Sequence, residues 1–125
     1  SYIPVVFYIG AIFWTLAYDT IYGFQDIKDD EIIGVKSTSI KFKKNPKLFL
    51  YPCYLIFYMS VFLIGILMSY NLFYFLFSAL IFLHLIVYQI KTLNISAPQM
   101  CLKIFKSNNF LGFIVFVNIL IGGYF

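Results

Sequence analysis

Apolar residues fill this chain in long blocks, and charge is confined to the gaps between them. No Asp, Glu, Lys or Arg occurs before Asp19, from residue 48 to residue 90, or after Lys106. A helix needs about 20 apolar residues to cross the hydrocarbon core of a bilayer. The blocks predict four such helices, at residues 2–24, 48–69, 72–90 and 107–125. The uncharged run of 43 residues from 48 to 90 is too long for one crossing, and Tyr70-Asn71 near its middle is a polar break suited to a tight turn. The alternation of a transmembrane β-barrel is missing, and lipid offers irregular backbone no hydrogen-bond partners. The fold class is therefore all-α, a multi-span membrane helix bundle.

Composition agrees with lipid as the solvent. The chain is 62% hydrophobic, 22% aromatic and 11% charged, with 16 Phe and 11 Tyr, whereas soluble chains carry roughly 25% charged residues. A chain this short buries only about two-thirds of its surface on folding, too little to hide those rings from water. Several domains, disorder and a disulfide scaffold are excluded with it. Cys53 and Cys101 form no ligand pattern and read as small buried hydrophobes.

The net charge of +4 gains meaning from its placement. All five acids lie between Asp19 and Glu31, and all nine lysines lie in two windows, Lys28 to Lys47 and Lys91 to Lys106. These lysines flank apolar blocks instead of being interleaved with soluble structure, so nucleic acid is not an expected partner. Four helices alternate sides, which puts loops 25–47 and 91–106 on one side and the uncharged turn and both ends on the other. Lysine-rich loops stay inside, so the expectation is the cytoplasmic side of a bacterial inner membrane, or the matrix side of the mitochondrial inner membrane. The opening stretch has no basic flank of a signal peptide and reads as a chain joined mid-protein, just upstream of a helix.

The informative stretch runs from Tyr18 to Ser39. If it is helical, successive residues rotate by about 100°, and Asp26 and Asp30 then fall within about 20° of the direction of Asp19, with Tyr22 nearby. Asp26 and Asp30 are one turn apart, close enough to share a ligand, and their mutual repulsion calls for a cation. Two readings stay open. One is a solvated acidic loop, which serves Asp29 and Glu31 equally well. The other is a Mg²⁺ site, since that ion takes one or two carboxylates and completes its shell with water and substrate phosphates. Asp19 sits inside a span, where ionisable groups are costly and usually functional. Gly34 can end the helix, and Lys36 with the hydroxyls of Ser37, Thr38 and Ser39 offers a point charge and donors to phosphate oxygens. Lys41, Lys43, Lys44 and Lys47 suit anionic lipid headgroups.

These residues also resemble a known family. Tyr18-Asp19-Thr20-x-Tyr22, Asp26-x-x-Asp29-Asp30 and Gly34-Val35-Lys36-Ser37-Thr38-Ser39 are similar to the second aspartate-rich region of the UbiA membrane prenyltransferases, and most to the branch that prenylates 4-hydroxybenzoate for ubiquinone. Cys101-Leu102-Lys103-x-Phe105-Lys106-x-Asn108-Asn109-Phe110-x-Gly112 resembles that branch's last loop and final helix, and Gln89 fits the end of the third span. The resemblance covers nearly the whole chain in order.

It implies a bundle of about nine spans with two aspartate-rich loops facing across a cavity, each holding Mg²⁺ that grips the diphosphate of a polyprenyl diphosphate. Residue by residue, it makes Asp26 and Asp30 the metal ligands with Asp29 assisting, Lys36 a diphosphate contact, and Asp19 and Tyr22 cavity-wall positions. The role of Asp19 stays open among metal, proton and substrate. The family's first motif, N-D-x-x-D-x-x-x-D, occurs nowhere in these residues. Residues 1–125 are thus expected to be the C-terminal portion of one such domain, inactive without the N-terminal half that carries that motif.

Other residues read as structural. His84 is expected to hydrogen-bond a neighbouring helix, Asn108 and Asn109 to cap the last helix, and the tyrosines and phenylalanines to pack or face lipid. Pro52 and Gly65 are tolerated within membrane helices. Two rivals remain: another UbiA branch making menaquinone, haem or chlorophyll precursors, and a small non-enzymatic membrane subunit in which Asp19 serves ion passage.

Overall fold

The computed structural model describes residues 2–24 and 38–124. Its elements are α1 (Ile3–Gly23), the short α2 (Thr38–Lys41), α3 (Pro46–Leu67), α4 (Leu72–Phe82) continued by a π-helical segment (Leu83–Ile90), and α5 (Pro98–Tyr124). No strand occurs among the described residues. Four helices are long and apolar enough to cross a membrane: Ile3–Gly23, Pro46–Leu67, Leu72–Ile90 and Pro98–Gly123. The chain is a multi-pass membrane protein.

Helix α1 packs on α3 along its length, α3 on α4, α4 on α5, and α5 back on α1, closing a four-helix ring. Small residues let the backbones approach, as expected where lipid supplies no hydrophobic drive between helices. A Cβ on Gly10 would lie 1.9 Å from the Ser60 Oγ, so α1 and α3 meet at hydroxyl-to-backbone distance. A Cβ on Gly65 would lie 2.5 Å from a ring carbon of Tyr74, whose hydroxyl donates to the Val61 carbonyl at 2.6 Å.

The predicted turn between the second and third spans is present. Ser69 takes the left-handed conformation at φ 54°, and the Tyr70 amide closes back on the Gly65 carbonyl at 2.9 Å. Asn71 caps α4, its Oδ1 accepting the Tyr74 amide at 3.1 Å, while its Nδ2 donates to the Ile121 carbonyl of α5 at 3.2 Å. One asparagine thus starts a helix and ties the turn to the end of another.

The fourth span differs from expectation at its start. Hydropathy put it at 107–125, but α5 begins at Pro98. Charge marks the edge of the hydrocarbon, not the end of a helix. Lys103 and Lys106 are exposed on the first turns of α5, where their long stems can carry the ammonium groups to the headgroup level. Asn108 consequently lies inside the helix and is 7% exposed, so it is not a cap. Cys53 and Cys101 are both buried free thiols.

Asn118, on the same inner stripe of α5, is fully buried, and neither of its amide atoms has a hydrogen-bond partner among the described residues. A buried amide without partners costs about 1–3 kcal/mol. Asn118→Leu is therefore expected to stabilise the bundle by about 1 kcal/mol, read as a later unfolding midpoint of the chain in detergent. An earlier midpoint would mean that the amide is satisfied in the membrane.

Candidate active site

The loop-side end of α1 carries the two predicted positions that fall among the described residues. Asp19 lies about 6 Å before the end of α1 by helical rise and is exposed. It points away from the stripe of Gly10, Ala17, Thr20 and Ile21 that α1 buries in the ring. Tyr22 is 45% exposed, and its ring rests on Phe105 of α5 at 4.5 Å between centroids. The turn spacing of Trp14, Tyr18 and Tyr22 builds an aromatic ladder up α1. Trp14 stacks on Phe57 at 4.9 Å, Tyr18 meets Trp14 edge-on at 5.6 Å, and Phe105 sits against both Tyr18 and Tyr22.

Asp26, Asp29, Asp30 and Lys36 lie outside the described residues. The structure does describe how the chain returns after them. The Thr20 hydroxyl donates to the Leu16 carbonyl at 2.7 Å, which leaves the Thr38 hydroxyl as donor to Thr20 Oγ1 at 2.6 Å. Ser39, 2% exposed, donates to the Thr20 carbonyl at 2.7 Å. A Cβ on Gly23 would fall 2.2 Å from the Ser39 Oγ. At residues 38 and 39 the chain is therefore held against Thr20, next in sequence to Asp19, at the end of α1. This corrects one expectation: the hydroxyls of Thr38 and Ser39 are spent on α1, not offered to phosphate, because each is turned onto Thr20.

Below this end lies a polar cluster that joins all four long helices. The Trp14 indole N–H donates to Asn108 Oδ1 at 2.8 Å. Gln89 Nε2 donates to the same oxygen at 3.0 Å, and Asn108 Nδ2 returns a bond to Gln89 Oε1 at 3.2 Å. Tyr54 donates to Gln89 Oε1 at 2.5 Å, and Gln89 Nε2 also lies 3.0 Å from His84 Nδ1. His84 was expected to bond another helix, but its partner is on its own. The π-helical turn explains this. Five residues in an α-helix overshoot one turn by about 140°, whereas the i to i+5 pattern of a π-helix stacks residues five apart. In the sequence Gln89 stands out only for its fit to a family, and Asn108 reads as a helix cap; both belong to this cluster instead. The available signal was that His84, Gln89 and Asn108 are amide or imidazole side chains inside apolar spans, where buried polar groups are mostly paired.

Among the described residues no three His, Cys, Asp or Glu side chains converge as a metal site. The donor set of the acidic segment, hard carboxylate oxygens, is of the type that Mg²⁺ takes.

An all-α membrane bundle with the short α2 pinned on the end of α1 is thus defined by fold and site. The UbiA prenyltransferase family matches residues 1–121, and the chain belongs to that family. It is 38% identical over 115 residues to the mitochondrial 4-hydroxybenzoate polyprenyltransferase of Bos taurus, covering 92% of this chain and 31% of that protein. The protein of the same name from Dictyostelium discoideum is 41% identical over 105 residues, 84% of this chain and 22% of the relative. 4-Hydroxybenzoate geranyltransferase 2 of Lithospermum erythrorhizon is 39% identical over 118 residues, 94% of this chain and 38% of the relative. The chain spans 22–38% of the length of these three relatives. No solved structure matches it.

Proposed function

We propose that this chain is the C-terminal portion of a Mg²⁺-dependent enzyme that transfers a polyprenyl group from polyprenyl diphosphate to the ring of 4-hydroxybenzoate. The observation that carries the reading is Thr38 and Ser39 held on Thr20 beside an exposed, intramembrane Asp19, in a chain whose relatives bear 4-hydroxybenzoate prenyltransferase names. An exposed carboxylate inside a span is costly against lipid and is at home against a water-filled cavity.

Asp26 and Asp30, with Asp29 beside them, are the residues that would hold Mg²⁺. The bound ion supplies positive charge to the diphosphate as that group departs. Lys36 adds a second cation on the diphosphate. Loss of diphosphate leaves an allylic cation, which the electron-rich ring attacks at the carbon ortho to its hydroxyl; that carbon then loses its proton. Asp19 and Tyr22 form the cavity wall. The other metal-binding motif belongs to a segment that the 125 residues do not contain. The membrane is a bacterial or mitochondrial inner membrane, with the acidic and lysine-rich loops on the cytoplasmic or matrix side.

The test is transfer of a labelled prenyl group to 4-hydroxybenzoate in membranes holding the complete protein. Activity that disappears with a chelator and returns with Mg²⁺ supports the reading. Binding of both substrates with no transfer under any metal condition would leave the non-enzymatic subunit as the better description.

A further inference from the structure

The polar cluster beneath the α1 end has only one consistent hydrogen-bond direction. Trp14 is the single tryptophan of the chain, and an indole N–H can only donate. Its 2.8 Å contact therefore identifies the Asn108 atom as oxygen. That oxygen takes a second donor, which must be the amide nitrogen of Gln89 at 3.0 Å. The Gln89 oxygen then faces Asn108 Nδ2 and the Tyr54 hydroxyl, at 3.2 and 2.5 Å. The remaining Gln89 N–H points at His84 Nδ1, 3.0 Å away, and this ring nitrogen must carry a lone pair. Flipping either amide would set two donors or two acceptors face to face. Gln89 is fully buried and Asn108 nearly so, and at that depth neither mismatch has water to relieve it.

We propose that Gln89 is a positioning residue. Through Asn108 it holds Trp14, and with Trp14 the end of α1 that carries Asp19 and Tyr22, in one register; the relay requires His84 with Nδ1 bare. Gln89 and Trp14 are joined in this relay by hydrogen bonds to the same Asn108 oxygen, so the influence of Gln89 passes through it. The π-helical turn is what makes the relay reach His84. The link to the α1 end as a site rests on the reading proposed above, whereas the relay itself does not.

The chain contains one tryptophan and one histidine, so each can be followed by label without assignment. With the whole chain in lipid bilayers at neutral pH, ¹⁵N resonances are expected to show a pyridine-type Nδ1 and a pyrrole-type Nε2 on His84. Gln89→Leu is expected to shift the Trp14 indole N–H resonance and speed its hydrogen exchange, because Asn108 keeps only the longer 3.3 Å bonds of its Nδ2 to the Ile104 and Phe105 carbonyls to orient it from its own helix. An unchanged Trp14 signal in Gln89→Leu would overturn the relay. Should that variant fail to insert, a proton on His84 Nδ1 in the unaltered chain overturns it equally. Neither readout uses catalysis, so failure of the transfer assay and failure of the relay are separate results.

Discussion

Alanine at Asp26 or Asp30 of the complete protein is expected to lower kcat/KM for prenyl transfer by about 100-fold or more. Removing one group that stabilises charge on a departing oxyanion commonly costs 10²–10³, and a carboxylate that also holds Mg²⁺ acts on ground-state binding as well. Diphosphate binding in the presence of Mg²⁺ is expected to weaken in the same variants. Alanine at Asp29, proposed only to assist, is expected to do less. Steady-state kinetics across Mg²⁺ concentrations separates the effects: a lost metal ligand shifts the metal dependence, whereas a generally damaged fold lowers the rate at every concentration. Equal, metal-independent losses at all three positions would count against a Mg²⁺ role.

The largest effect on the fold is expected at Gly10. A Cβ there meets the Ser60 Oγ at 1.9 Å and its Cβ at 2.6 Å, and Ser60 is held in place by donating to the Phe57 carbonyl at 2.7 Å. Alanine can be met by a turn of the serine side chain, but Gly10→Leu must part α1 from α3. Overpacking of a tight seam costs about 1–3 kcal/mol and occasionally more; the upper end, about 3 kcal/mol, is expected here. The seam is the most extensive in the bundle, and the helix it displaces carries Asp19 and Tyr22. Gly123 provides the control. A Cβ there meets nothing within 4 Å, so Gly123→Ala is expected to be neutral or slightly stabilising. Denaturant unfolding in mixed micelles ranks the two. Equal stability of Gly10→Leu and Gly123→Ala would contradict the packing described.

Much of this was legible in the residues, for physical reasons that can be named. A 43-residue stretch without charge has no soluble explanation, and Tyr70-Asn71 within it marks a place where backbone needs a side-chain partner. Asn71 supplies that partner at 3.1 Å. The family was legible because its acids, glycine and lysine occur in order at fixed spacing. The limits of α5 were not, because hydropathy reports where lipid begins and a helix can run on through Lys103 and Lys106. Asn108 reads as a cap for the same reason: the helix starts about two and a half turns earlier, at Pro98 instead of 107. The π-helical turn at Leu83–Ile90 had no signal that periodicity can detect over 8 residues. Thr38 and Ser39 looked like phosphate donors because sequence shows the hydroxyls but not that Thr20 faces them.

The central claim is that these residues supply one of two metal-binding halves of a prenyltransferase site. It is tested most directly by reconstituting the purified 125-residue chain in lipid with Mg²⁺, polyprenyl diphosphate and 4-hydroxybenzoate, with and without a co-expressed segment bearing the first aspartate-rich motif. Transfer is expected only when both segments are present. Turnover by the 125 residues alone would contradict the claim.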